Sequence, residues 1–390
     1  MLTTLCVANY RSLRELRLSL GPLTVITGTN GSGKSSLYRA LRLLSDAALN
    51  RMLPSLAMEG GFSSALWAGP ETISRAMRAG EVPIEGVTRK EPIALKLGIA
   101  SDDLSYAVEL GLPAQGRPPP PTLFGQDPHI KREAVWAGPV YRPAAALVER
   151  QGALLKVREG RSWRVVDAPL TPFDSMLSQF ADPALAPETL RLRERLRGWR
   201  FYDSLRTDSD APARRARPGS FTPVLAGDGA DLAAAWQTIV EIGDAEALHE
   251  ALEDAFPGAQ VLVTRDASGF RLAMRQHGLL RALDAAELSD GTLRYLMLLT
   301  ALLSPRPPEL MALNEPENSL HPDLLPALGR LILRASAQTQ VIVVSHAMRL
   351  VAALESHEDC RTWRLEKSCG ETQLPELDWA DTPPWQWPAR

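Results

Sequence analysis

The chain is short of several things, and each shortage closes a class of function. It has 3 cysteines in 390 residues, Cys6, Cys360 and Cys369, too few and too scattered for a disulfide framework. His357 with Cys360 and Cys369 makes only three loosely spaced candidate ligands, which is not a zinc pattern. No apolar run approaches the roughly 20 residues of a membrane span. The opening residues Met1–Cys6 run into polar and basic positions rather than a signal-peptide core, so a cytoplasmic protein with no membrane partner is expected. Net charge is only −3, which excludes a generally basic nucleic-acid coat and leaves any DNA contact to a local patch. No sustained heptad pattern occurs, so a long coiled coil is not expected. Lysine is scarce: nearly all of the 43 basic residues are arginine, and a lysine in a special place carries information.

What remains is globular. Hydrophobic residues make up 45% and charged residues 23%, and the length allows one large composite core or two to three ordinary domains. Near the N-terminus the β-branched run Leu23-Thr24-Val25-Ile26 leads into "GTNGSGKSS", Gly28 to Ser36. Gly28, Gly33, Lys34 and Ser35 fit the phosphate-loop pattern, and Thr29, Asn30, Gly31, Ser32 and Ser36 complete the cradle. The glycines let backbone N–H groups turn toward a β-phosphate, the helix start adds partial positive charge, Lys34 reaches β/γ oxygens and Ser35 is the Mg²⁺ ligand. Leu37, Leu41 and Leu44 then recur at helical spacing.

Four further segments follow in order. "LSDGTLRYLMLLTALL", Leu288 to Leu303, opens a helix at Ser289-Asp290-Gly291 and places Leu293, Leu296, Leu299 and Leu303 on its apolar side. Leu310-Met311-Ala312-Leu313 makes a buried strand ending in Asn314 and Glu315. Asn318-Ser319-Leu320-His321-Pro322 is a linker, and Val341-Ile342-Val343-Val344 is a second buried strand running into Ser345-His346. Taken singly, Ser289 is an ordinary helix cap, Glu315-Pro316 a strand-end turn and His346 a core histidine; ordinary packing does not arrange all of them behind a phosphate loop.

Together with "NYRSL", Asn9 to Leu13, and "EPENSLHP", Glu315 to Pro322, this order resembles the stand-alone AAA_21 ATPases of the OLD/RecF/SMC branch of the ABC superfamily. The resemblance covers roughly Met1 to Asn50 and Leu225 to Leu354. It implies an α/β fold: an ABC-type P-loop NTPase head, with a mixed central sheet flanked by helices, an antiparallel β subdomain and an inserted region. It implies ATP and Mg²⁺ as ligands, with Lys34, Glu315 and His346 catalytic. Glu315 would position or activate the attacking water, and His346 would contact the γ-phosphate. Asn314 would support Mg²⁺ through water, and Arg11 matches an arginine near the nucleotide. Ser289, Asp290 and Gly291 would complete the site of a second copy, so a head-to-tail homodimer is implied. At Asn314 the family pattern more often has a carboxylate. An amide brings no charge, so Mg²⁺ should bind more weakly and turnover should be slow.

One composite head is expected: an N-terminal lobe at 1–60, an inserted β-hairpin and helical region at 61–220, a C-terminal lobe at 221–368 and a Trp/Pro-rich tail at 369–390. Hairpins are expected at Ile93–Ile99 with Leu104–Leu110, at Leu154–Arg158 with Trp163–Val166, and at Val261–Thr264 with Phe270–Met274. Arg117–Thr122, "RPPPPT", reads as an exposed polyproline-like loop. Between Pro187 and Pro218, Arg191, Arg193, Arg195, Arg197, Arg200 and Arg206 interleave with Trp199, Phe201 and Tyr202, and Arg214, Arg215 and Arg217 follow. Two readings stand: a nucleic-acid patch joining phosphate contact to stacking, or a solvated basic face with its aromatics in the core. No acidic cluster resembles a TOPRIM nuclease, so any nuclease would be a separately encoded effector. The tail "ELDWADTPPWQWPAR" docks either on the body or on a partner. Three functions follow: an ATP-gated switch in DNA repair or anti-phage defence, a clamp or sensor with little turnover, or a transporter ATPase subunit, the last disfavoured by the linker and the long insertion.

Overall fold

The computed structural model describes residues 1–79, 81–83, 92–113, 122–180, 182–375 and 382–388. The polyproline-like loop lies outside the described residues except for Thr122, and so do residues 376–381 and 389–390 of the tail. The backbone divides into two compact units, one made of Met1–Gly21, Gly28–Gly198 and Trp363–Arg390, the other of Pro22–Thr27 and Trp199–Thr362.

The first unit is built on an eight-stranded antiparallel sheet. From one edge its strands are Leu13–Ser19, Leu2–Tyr10, Leu95–Ser101, Leu104–Gly111, His129–Ala137, Ala146–Gln151, Leu154–Glu159 and Ser162–Val166. The expected hairpins of this region form, with Leu97 opposite Val108 and Val157 opposite Arg164. The outermost strand, Ser162–Val166, is mostly exposed; Arg158 and Lys156 lie over its Trp163 ring at 4.9 and 5.7 Å, and such cationic cover discourages edge-to-edge pairing. Helix Lys34–Ala48 buries Leu37, Leu41 and Leu44 and packs against strand Leu2–Tyr10 and helix Pro187–Gly198. Inside the sheet Glu133 and Arg150 form a fully buried ion pair at 3.0 Å, and Arg150 also donates to the Thr171 and Asp174 carbonyls at 2.5 Å each.

The tail docks on this same unit. Trp385 is buried, 5.5 Å from Trp136 and 5.1 Å from Trp387 between ring centroids. It lies so close to Gly98 that a Cβ there would sit 2.3 Å from the indole.

The second unit contains parallel strands in the order Arg200–Tyr202, Leu310–Asn314, Gln340–Val344 and Leu23–Gly28, whose first five residues belong here. The last three strands in this order are nearly all buried, which suits their Leu/Ile/Val runs. Helix Asp290–Leu302 is buried at every position from Leu293 to Leu302. An antiparallel sheet of Gln260–Asp266, Gly269–Arg275 and Leu283–Asp284 contains the third expected hairpin.

The arginine stretch divides between the units and follows the core reading rather than the patch. In the first unit Arg191 and Arg195 both pair with Asp103. In the second, Trp199 and Tyr202 are buried, Arg206 pairs with Asp208, and Arg215 with Asp210. Arg214 is itself buried. A stacking platform needs open aromatic faces, and these two rings are inside.

Candidate functional site

In the first unit the phosphate loop has the backbone its glycines anticipate. Gly28, Gly31 and Gly33 have φ of 146°, 77° and 110°. Two are also hemmed in: a Cβ on Gly28 would lie 2.4 Å from the Leu365 carbonyl oxygen, and one on Gly33 would lie 2.2 Å from Thr372 Oγ1. Thr372 Oγ1 donates to the Ser32 carbonyl at 2.7 Å and shares a 2.8 Å hydrogen bond with Ser12 Oγ. The hairpin Cys360–Ser368/Glu371–Gln373 thus braces the loop. Lys34 Nζ donates to the Gly28 and Thr29 carbonyls at 2.6 and 2.9 Å, folding the ammonium back over the loop. Helix Lys34–Ala48 starts with no side-chain cap and no acidic residue in its first turn. Its first N–H groups and partial positive charge suit an anion. Thr29, Asn30, Gly31 and Ser35 are exposed; Ser36 is half-buried.

"NYRSL" serves as an anchored strand turn. Asn9 and Arg11 have φ of 61° and 50°. Asn9 Nδ2 donates to the Ala94 carbonyl at 2.8 Å. Tyr10 Oη and Arg11 Nη2 both meet Glu59 Oε2 at 2.7 Å. Burial and the hydrogen bond to Glu59 push the Tyr10 phenol well above its ordinary value. The guanidinium of Arg11, expected near a nucleotide, is held by Glu59.

In the second unit Asn314, Glu315, Glu317, Asn318 and His346 converge. Glu315 has φ of 47°, a left-handed conformation unusual for its type, and its N–H extends the ladder to the Val344 carbonyl at 2.7 Å. Its Oε2 accepts from Asn318 Nδ2 at 2.9 Å, and its Oε1 lies 3.8 Å from His346 Nδ1. Glu317 Oε1 accepts from Ser345 Oγ at 2.8 Å, the His346 N–H at 2.9 Å and the Ala347 N–H at 3.2 Å, and lies 3.3 Å from His346 Nδ1. This buried carboxylate sets where the histidine stands. Within "EPEN" no local signal in the sequence marks Glu317 for this role. Arg294 Nη2 donates to the Glu315 carbonyl at 3.3 Å, and burial pulls its guanidinium below the usual value against the attraction of Glu317 and Glu315.

Asn314 Oδ1 is buried and without a hydrogen-bond partner among the described residues. An orphaned acceptor at a strand end fits a metal-bound water, and a neutral amide suits that outer-sphere role. No group of three or more His, Cys, Asp or Glu side chains among the described residues could hold a metal alone. A Mg²⁺ that brings phosphates and waters with it does not need one.

Ser289 is exposed and caps helix Asp290–Leu302, accepting from the Thr292 N–H at 3.2 Å. A Cβ on Gly291 would lie 2.5 Å from the Ser319 carbonyl oxygen, so the linker presses on the helix start. Arg214 Nη2 donates to Asp290 Oδ1 at 2.6 Å, a contact no sequence signal marked. Among the described residues no helix is long and apolar enough to cross a membrane.

The comparisons with known proteins point the same way. Residues 156–352, just over half of the chain, match the AAA_21 family model, described as "AAA domain, putative AbiEii toxin, Type IV TA system", and residues 1–82 match AAA_15, an AAA ATPase domain. An OLD nuclease of Thermus scotoductus is 46% identical over 56 residues, which are 14% of this chain and 10% of that protein, so the match spans only a tenth of the curated relative. An SmcHead bound to the C-winged helix domain of ScpA superposes with a TM-score of 0.57 at 12% identity, over 97% of this chain and 98% of that one. An Smc head domain with an extended coiled coil, bound to the C-terminal domain of ScpA derived from Pyrococcus furiosus, gives 0.52 at 10% identity, over 97% and 96%. At such identities the likeness concerns the fold alone, that of an SMC head domain. The chain belongs to the AAA_21 family, with an AAA ATPase domain also matched at its N-terminus.

Proposed function

We propose that the chain is a slow, Mg²⁺-dependent ATPase working as an ATP-gated homodimeric switch in DNA repair or maintenance, or in anti-phage defence. The observation that carries this reading is the phosphate loop itself: three glycines at positive φ, an uncapped helix start and a folded-back lysine, in a member of an ATPase family. Backbone N–H groups of Gly28–Ser36 bind the phosphates, with Lys34 turning from the Gly28 and Thr29 carbonyls to the β/γ oxygens. Mg²⁺, when bound, would supply charge to neutralise that developing on those oxygens. Ser35 would ligate it, and Asn314 would accept from one of its waters. Glu315, steadied by Asn318, orients water and takes its proton. His346, set by Glu317, donates to the γ-phosphate. Ser289 and Gly291 act in the site of a second copy, so closure follows ATP binding and opening follows hydrolysis. Arg11 is held by Glu59 in the turn whose next residue, Ser12, bonds Thr372 Oγ1 beside the loop. DNA or a separately encoded effector would be the target of the switch.

Lys34→Ala should abolish ATP binding, whereas Glu315→Gln should keep binding and lower turnover by about 10²–10⁴. Unchanged turnover in Glu315→Gln would overturn the assignment. A clamp that scarcely turns over is the second reading, favoured by the neutral Asn314; phosphate release near zero in the intact protein would select it. A transporter subunit is the least supported reading, and isolation with a membrane partner would revive it.

A further inference from the structure

Arg214 behaves unlike its arginine neighbours. Arg206 and Arg215 are exposed and pair within a few residues of themselves. The Arg214 side chain is only 8% exposed and reaches two segments distant in sequence from each other. Nε and Nη2 donate to the Thr207 carbonyl at 2.9 and 2.8 Å; Nη1 donates to the Leu288 carbonyl at 2.7 Å and the Ala285 carbonyl at 3.0 Å; Nη2 also meets Asp290 Oδ1 at 2.6 Å. The fork is satisfied by carbonyls and one carboxylate, an arrangement a lysine could not reproduce.

The segment it grips, 285–290, delivers Ser289 and Gly291 to the start of helix Asp290–Leu302. Two consequences follow. The helix start is fixed in direction, with the Ser319 carbonyl pressing on Gly291 from another side. The second concerns charge. Asp290 lies between the two residues read as meeting a γ-phosphate, and its carboxylate is 58% exposed. A bare carboxylate there would repel an incoming polyanion; a guanidinium at 2.6 Å cancels it.

We infer that Arg214 is a positioning residue for the second-copy half of the ATP site, holding segment 285–290 in place and neutralising Asp290 so that the helix start can accept its partner's γ-phosphate. The inference rests on the dimeric reading above.

Mixing of inactive variants tests both and separates them. Arg214→Met should keep its own ATP affinity within about twofold, while ATP-dependent dimer and turnover fall about tenfold or more. Mixed with Lys34→Ala, it should regain turnover, because one composite site then joins an intact phosphate loop to an intact Ser289; mixed with Ser289→Ala, it should not. Arg214→Lys, which keeps the charge without the fork, should fall between wild type and Arg214→Met and guards against misfolding of the latter. Adding Asp290→Asn to Arg214→Met should recover part of the dimer at low salt, which a packing role alone would not produce. If Lys34→Ala rescues Ser289→Ala but neither Arg214 variant, the inference on Arg214 is overturned and the dimer stands. If Lys34→Ala rescues none of them, the reading of Ser289 in trans falls, and this inference falls with it.

Discussion

Asn314→Asp supplies the charge that the strand end lacks, and it should move stability and metal dependence in opposite directions. Asn314 Oδ1 is buried with no partner among the described residues. Without nucleotide, a carboxylate there has nothing to pair with, and an unsatisfied buried polar group costs about 1–3 kcal/mol, more for an ion. Its pKa would rise by desolvation, so the destabilisation is small at low pH, where the group is protonated in both folded and unfolded states. It grows as pH climbs past the unfolded value of about 3.9 and saturates above the raised folded value. With Mg²⁺ and ATP bound, an outer-sphere carboxylate on the order of 5 Å from a divalent ion gains about 6–7 kcal/mol gross at an effective dielectric of about 20. Desolvation returns several kcal/mol of this, leaving about 1.5–3 net, or roughly ten- to hundredfold less Mg²⁺ for half-maximal turnover. The assay is phosphate release against free Mg²⁺ at saturating ATP, beside urea unfolding of the nucleotide-free protein. Equal Mg²⁺ midpoints for wild type and variant would refute the placement of Asn314 toward the metal's water.

Three further outcomes are expected. Gly33→Ala must accommodate φ of 110° and a Cβ 2.2 Å from Thr372 Oγ1, so ATP binding should be lost; Gly31→Ala, with φ of 77° and nothing within 4 Å, should cost only about 1–3 kcal/mol of backbone strain, and nucleotide titration of the pair would expose an error if both bind alike. Glu317→Ala removes the acceptor of three hydrogen bonds around His346 and should cost about 3 kcal/mol and tenfold or more in turnover, whereas Glu317→Gln keeps an acceptor oxygen and should cost roughly half as much; equal losses in denaturation and single-turnover assays would count against the carboxylate as the histidine's anchor. Burial pushes the Glu371 carboxyl up, but hydrogen bonds from Arg14, Gln373 and Arg78 outweigh it and hold the group below its ordinary value. Its stabilising contribution is therefore complete above the unfolded value of about 4.3 and fades as pH falls through the lower folded value, so the stability gap to Glu371→Gln should be flat from pH 7 to about 5 and narrow below about 4. A gap that widens on acidification would reverse the sign.

What could be read in the sequence follows the range of the interactions. The phosphate loop is local: within nine residues the glycines dictate backbone sign, and strand, loop and helix appear where Leu23–Ile26 and the Leu37–Leu41–Leu44 spacing place them. The hairpins around Glu159-Gly160 and Ala267-Ser268-Gly269 were legible for the same reason. Arg214 was not, because its meaning lies in carbonyls more than 70 residues away, and in a basic run it looks like its solvated neighbours. Glu317 hid differently. It stood in a recognised motif, but only the register of strand Gln340–Val344 brings Ser345 and His346 to its carboxylate. The docking of Trp385 across Gly98 joins parts of the chain nearly 300 residues apart, beyond any periodicity.

The brace on the phosphate loop has a consequence for biosynthesis. Thr372 lies 340 residues downstream of Ser32, whose carbonyl it holds. At about 5–20 residues per second, a ribosome needs roughly 17–70 s between making the loop and making its brace. Throughout that interval the nascent chain carries a glycine-rich segment held only by local contacts such as those of Lys34 with the Gly28 and Thr29 carbonyls. Under the proposed function, tight nucleotide capture should await translation past Thr372, and a chain stalled earlier should compete poorly for ATP.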